Sequence, residues 1–211
     1  MPSKINKHQL AIVTTAFLSI GLTSPANALT FKTFTDKDTF QEAASGLSLE
    51  TFNQTATSTA KNHDLSDFAI RSNMTWTKIS DDIEANVDGS TFLQLQSRNH
   101  TTEATLTFDN QINAFGFDWV NTDNSANTLE LIINDRSYSF GAPQQSGFFG
   151  IIADNLFSEV SFSDAATGGY LQHGGIDNIR YGLVEDVPTP AAILPTLLGI
   201  SANLLRRKKQ F

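Results

Sequence analysis

Between residues 29 and 182 the chain repeatedly alternates apolar and polar positions, the period of half-buried strands. Residues 29–34 set Leu29, Phe31 and Phe34 against Thr30, Lys32 and Thr33. The pattern then changes once. Residues 36–45 place Phe40 and Ala44 on one helical face, with Asp36 or Asp38 as N-terminal cap and Gly46 as the stop, which predicts one short helix near the N-terminus. Strand patterning returns at 48–52. Residues 53–61 are Thr, Ser, Ala and Asn with little to bury, and read as a mobile loop. Short strands are expected at 68–70, 74–79 and 91–95, the last two separated by Asp81, Asp82, Glu84 and Asp88. Clearer strands follow at 104–108, 112–120, 129–133, 137–140, 147–152, 160–162 and 176–181.

The joints between these strands carry turn chemistry: Asp109-Asn110, residues 121–124, Asn134-Asp135, Gly141-Ala142-Pro143 and Gly168-Gly169. Asn134-Asp135 has the length of a two-residue hairpin. Many short strands, evenly spaced and without a sustained helical period, predict an all-β fold: an antiparallel β-sandwich of jelly-roll type. Of 16 phenylalanines, 14 fall between residues 29 and 186, mostly on these strands, and are expected to form the core.

Both ends break the pattern. Residues 1–28 carry Lys4 and Lys7, an apolar run at 10–22 and Ala26-Asn27-Ala28, a secretory signal peptide with an A-x-A cleavage site. Residues 187–211 contain Val187-Pro188-Thr189-Pro190, an apolar run at 191–205, and Arg206, Arg207, Lys208 and Lys209. As a helix, that run would reach roughly 22 Å, short of the ~30 Å hydrocarbon core, so it implies marginal or temporary membrane attachment. The cations that follow it should stay cytoplasmic, leaving the preceding residues outside.

This tripartite tail resembles the PEP-CTERM sorting signal of Gram-negative bacteria that make extracellular polysaccharide, with Thr189 where the family has Glu. The resemblance implies delivery through the Sec translocon, processing near the proline motif by an exosortase-type protease, and a place at the cell surface or in the exopolysaccharide layer. A plain C-terminal anchor is the alternative. The body, residues 29–186, has the length of one domain. Its segment Gly147-Phe148-Phe149-Gly150-Ile151-Ile152, with Phe157, Val160, Phe162 and residues 175–182, is similar to the closing half of the jelly-roll, carbohydrate-binding-module-like domains that precede such tails.

Composition narrows the chemistry. Six of the 14 Lys and Arg lie in the two ends, whereas all 22 Asp and Glu lie in the body, which therefore carries a net charge of −14. Such a surface excludes nucleic acid as a partner and suits divalent cations. There is no cysteine, so thiol catalysis, thiolate metal sites and disulfides are excluded. Within the resemblance to carbohydrate-binding modules, Glu50 near the first strands and Asp177 with Asn178 in the last are the expected ligands of a structural calcium ion, completed by carbonyls and water. Trp76, flanked by Thr75 and Thr77, is the candidate sugar platform, whereas Trp119 alternates into a strand and reads as core. His63 beside Asp64 supplies residues of a hydrolytic triad, but no G-x-S-x-G elbow accompanies them. A non-enzymatic surface or matrix protein that binds carbohydrate or calcium is the leading expectation. A secreted hydrolase acting on polysaccharide or another extracellular polymer is the rival.

Overall fold

The computed structural model describes residues 30–97, 102–122, 128–164 and 171–184. The segments expected to be a signal peptide and a sorting tail, including Val187, Pro188, Thr189, Pro190, Arg206 and Arg207, lie outside the described residues. Among those described, no helix is long and apolar enough to cross a membrane.

Eleven strands and one helix follow in order: β1 Phe31–Phe34, α1 Lys37–Ala43, β2 Ser48–Glu50, β3 His63–Asp64, β4 Phe68–Ser72, β5 Trp76–Ser80, β6 Phe92–Ser97, β7 Glu103–Asn121, β8 Leu129–Ile133, β9 Arg136–Gly141, β10 Gln145–Asp164 and β11 Leu171–Gly182. A single 3-10 turn, Ile83–Ala85, interrupts the segment between β5 and β6. Every strand pair is antiparallel. Two long strands build the sandwich by bending through both layers. The first layer runs β5-β6-β11, then residues 112–121 of β7, then the start of β10, with β1 on its edge and β2 beside β11. The second runs β3-β4, residues 104–108 of β7, the end of β10, then β8-β9.

The expected turn at Asp109-Asn110 and the expected break between the strands at 147–152 and 160–162 are therefore bends. Residues 109–111 and 154–156 are each three consecutive exposed positions inside one continuous strand, where β7 and β10 pass from layer to layer. The β7–β10 ladder breaks there, with bulges around Phe157. Residues 53–61 are also tied down, because Ser58 and Ile79 exchange both backbone hydrogen bonds, at 2.8 and 3.0 Å. The hairpin at Asn134-Asp135 forms as expected, with φ of 48° and 60° at its two central residues, the positive pair that a type I′ turn needs.

Between the layers, Leu93, Leu106, Phe115, Phe117, Leu131, Phe162 and Ile176 are fully buried, and Trp119 joins them. Helix α1, capped by Asp36 through the Thr39 N–H at 2.8 Å, lies on the outer face of the first layer. There Phe40 packs against Phe34 and Phe148, over Gly116 and Gly150. A Cβ at either glycine would lie within 2.8 Å of the Phe40 ring, so these positions must stay bare for the helix to dock.

Candidate functional site

The outer face of the first layer is covered by α1 at one end and by the segment between β5 and β6 farther along. Strand alternation decides what it presents. On β5, Thr77 and Ile79 turn inward and are buried, so Trp76 and Lys78 face outward. Register then places Gln96 opposite Trp76 and Gln94 opposite Lys78, on the same face. The Trp76 ring is 48 % exposed, and the Lys78 Nζ stands 5.7 Å from its centroid. Lys78 also lies 3.8 Å from Asp82, which ties this edge to the covering segment.

Gln94 is fully buried, and neither atom of its side-chain amide has a hydrogen-bond partner; Gln96 Oε1 is also buried without one. Leaving such groups unpaired costs about 1–3 kcal/mol each, so an aromatic plate here adjoins unused donor and acceptor capacity. A sugar ring offers the indole a C–H face to stack on, whereas the unpaired amide atoms of Gln94 and Gln96 lie buried beside it in the conformation described.

A second polar cluster lies where the covering segment meets β11. Asp177 is fully buried; it accepts from the Ser90 hydroxyl at 3.1 Å and from the Asn178 N–H at 2.6 Å. Asn178, with φ of 51° at a bulge in β11, donates to Asp88 Oδ2 at 3.0 Å. Asp118 stands opposite Asp177 on β7 and pairs with Lys37 at 2.7 Å and Arg180 at 3.7 Å. Burial pushes the Asp177 carboxyl up to about 7, and the charges of Asp88 and Asp118 push the same way against its two hydrogen bonds. Asp88, which accepts from Ser90 and Asn178, is held below the ordinary carboxylate value.

Asp177 and Asn178 are thus brought together with Asp88 and Ser90. Glu50 is placed elsewhere: it lies opposite Ile179 on β2, where its Oε1 accepts from the Phe52 N–H at 2.5 Å, and it lines an open groove of about 570 Å³ with Gln54 and Asp64. No group of three or more His, Asp or Glu among the described residues stands close enough to hold a metal ion. His63 is buried with Nε2 unpartnered, and its neighbour Asp64 pairs with Arg71 instead.

Sequence reading singled out Trp76, which lies half-exposed on this face, and did not single out its neighbours Gln94 and Gln96. Their signal was present in Phe92-Leu93-Gln94-Leu95-Gln96, where amides repeat at the strand period opposite a leucine core. Asp118 had the same kind of signal, a carboxylate alternating with Phe117 and Trp119.

No family model matches the chain, and no curated protein does. Among solved structures it is similar to the enzymatically active domain of bacteriophage CBA120 tailspike protein 4, at 17 % identity and TM-score 0.37 over 57 % of this chain. A family 29 carbohydrate-binding module gives 12 % and 0.37 over 64 %, and the catalytic domain of a GH87 alpha-1,3-glucanase in complex with nigerose gives 10 % and 0.41 over 71 %. The match spans 99 % of the binding module but only 20 % of the tailspike domain and 31 % of the glucanase domain.

Proposed function

We propose that the chain is an exported, non-enzymatic β-sandwich that binds carbohydrate in the cell-surface or exopolysaccharide layer, through the Trp76 face of its first layer. The observation that carries this reading is the half-exposed indole of Trp76 on the outer face of the first layer, with the Lys78 Nζ 5.7 Å from its centroid. Export, passage through the Sec translocon and processing of the tail by an exosortase-type protease belong to the same proposal and rest on the two ends of the sequence.

One observation favours the rival hydrolase. Asp177 and Asp118 form a cross-strand carboxylate pair, one with its pKa pushed to about 7 and the other beside two cations, the asymmetry that an acid and its partner need. Asp177 is fully buried, however, so this pair meets no substrate in the conformation described.

Incubation of the protein with a panel of polysaccharides separates the two readings. Retention without new reducing ends is expected. Release of reducing ends, abolished by Asp177→Asn, would assign the hydrolase instead.

A further inference from the structure

At the opposite end of β11 from Gly175, which neighbours Gln94, a cavity of about 230 Å³ opens beside Tyr181. Tyr181 lies six positions beyond Gly175, roughly 20 Å along the strand, so this cavity is distinct from the Trp76 face. It forms because β7 crosses between layers here: the crossing turns Asn110 and Gln111 to solvent, next to Ser48 and Asp67, with Phe108 and Tyr181 as walls. The Asp109 N–H donates to the Asp67 carbonyl at 3.0 Å and fixes the rim.

The chemistry of the lining is one-sided. The Tyr181 hydroxyl donates to Asp67 Oδ2 at 2.8 Å, and among the described residues Asp67 Oδ1 meets no donor. No lysine or arginine is among the described lining residues. Burial holds the Tyr181 phenol well above its ordinary value, and its hydrogen bond to Asp67 and the negative charges of Asp67 and Glu50 push the same way. A single lining carboxylate is too few oxygens for a calcium ion, which takes 6–8. The volume lies below the ~300–1,000 Å³ of sites for drug-sized molecules, the scale of one ring. Two carboxamides and a serine hydroxyl suit ring hydroxyls, and the carboxylate suits a cation.

We infer that this cavity is a second ligand site, taking a single polyhydroxylated ring that carries an ammonium group, the amino-sugar class. An acidic sugar is repelled by Asp67, and a neutral one forgoes the charge-assisted hydrogen bond.

Calorimetric titration of the full-length chain with glucosamine, glucose and glucuronate, in mildly acidic solution, tests this. Glucosamine should bind at least about tenfold tighter than glucose, glucuronate should not bind, and added salt should weaken glucosamine alone. Asp67→Asn keeps an acceptor for the Tyr181 hydroxyl and should bring glucosamine down to the level of glucose. Gln111→Trp, at an exposed position, should fill the cavity and weaken both while leaving the melting temperature unchanged. Trp76→Ala should leave glucosamine binding intact, so loss of the Trp76 reading and loss of this one are separable. Equal binding of glucosamine and glucose, binding of neither, indifference to Asp67→Asn, or loss of glucosamine binding in Trp76→Ala would each overturn the inference.

Discussion

Replacing Asp177 by asparagine makes the protein more stable in mildly alkaline solution and removes most of its pH dependence between about pH 5 and 8. In an unfolded chain this carboxyl titrates near 3.8, whereas burial, with Asp88 and Asp118 nearby, raises it to about 7 in the fold. Below the unfolded value both states hold the proton and the contribution to stability is complete. As pH rises from about 4, the unfolded chain ionises while the folded one does not, so stability falls progressively and is lost by about pH 7 to 8. At ~1.36 kcal/mol per unit of separation, the loss reaches up to about 4 kcal/mol. Asparagine resembles the protonated acid: its carbonyl takes the Oδ1 place and accepts from the Asn178 N–H, its NH2 takes the Oδ2 place and donates to the Ser90 hydroxyl, which rotates to accept, and it never charges. The assay is denaturant unfolding at pH 5 and pH 8, read as midpoint at constant slope. The wild type should be weaker at pH 8 by at least about 2 kcal/mol, and Asp177→Asn should be nearly level. Equal wild-type stability at the two pH values, or a pH dependence in the variant as large as the wild type's, would refute the reasoning.

Three further outcomes are expected. Calcium competes with the proton on Asp177, so a calcium titration below pH 7 should leave the melting temperature unmoved; a rise that vanishes in Asp177→Asn or Glu50→Ala would establish the metal site. Gly175→Ala drives a Cβ into the Ala85 carbonyl and to 2.9 Å from Val120 Cγ1, and should cost about 3 kcal/mol in unfolding free energy as the covering segment is displaced. Mass spectrometry of the mature cell-surface protein should find a C-terminus near Pro190 and no Arg206, whereas intact Phe211 would establish a plain anchor.

The strands were legible because burial on one face imposes alternation locally, and the helix because Asp36, Phe40 and Ala44 satisfy cap and face within one short segment. The phenylalanine core was legible for the same reason. The bend at 109–111 read as a turn, and the one at 154–156 as a break between two strands, because a strand crossing between layers exposes several residues in a row. The polar cluster at Asp177 was only half legible. Asp88 lies nearly ninety residues away in sequence, and it meets Asn178 because the segment after β5 folds across Gly175, a pairing that no local pattern encodes. The cavity at Tyr181 was hidden more completely, since it exists only where the crossing of β7 leaves a gap beside β11.

The chain has two tryptophans, and Trp119 is buried. A polysaccharide that reaches the outer face therefore reports itself through the emission of Trp76. Fluorescence titration across a polysaccharide panel, repeated with Trp76→Ala, is the most direct test of the proposed function. A saturable change in emission is expected, with retention on the same polysaccharide weakened at least about tenfold in the variant. Equal retention of wild type and Trp76→Ala, with no change in emission, would contradict it.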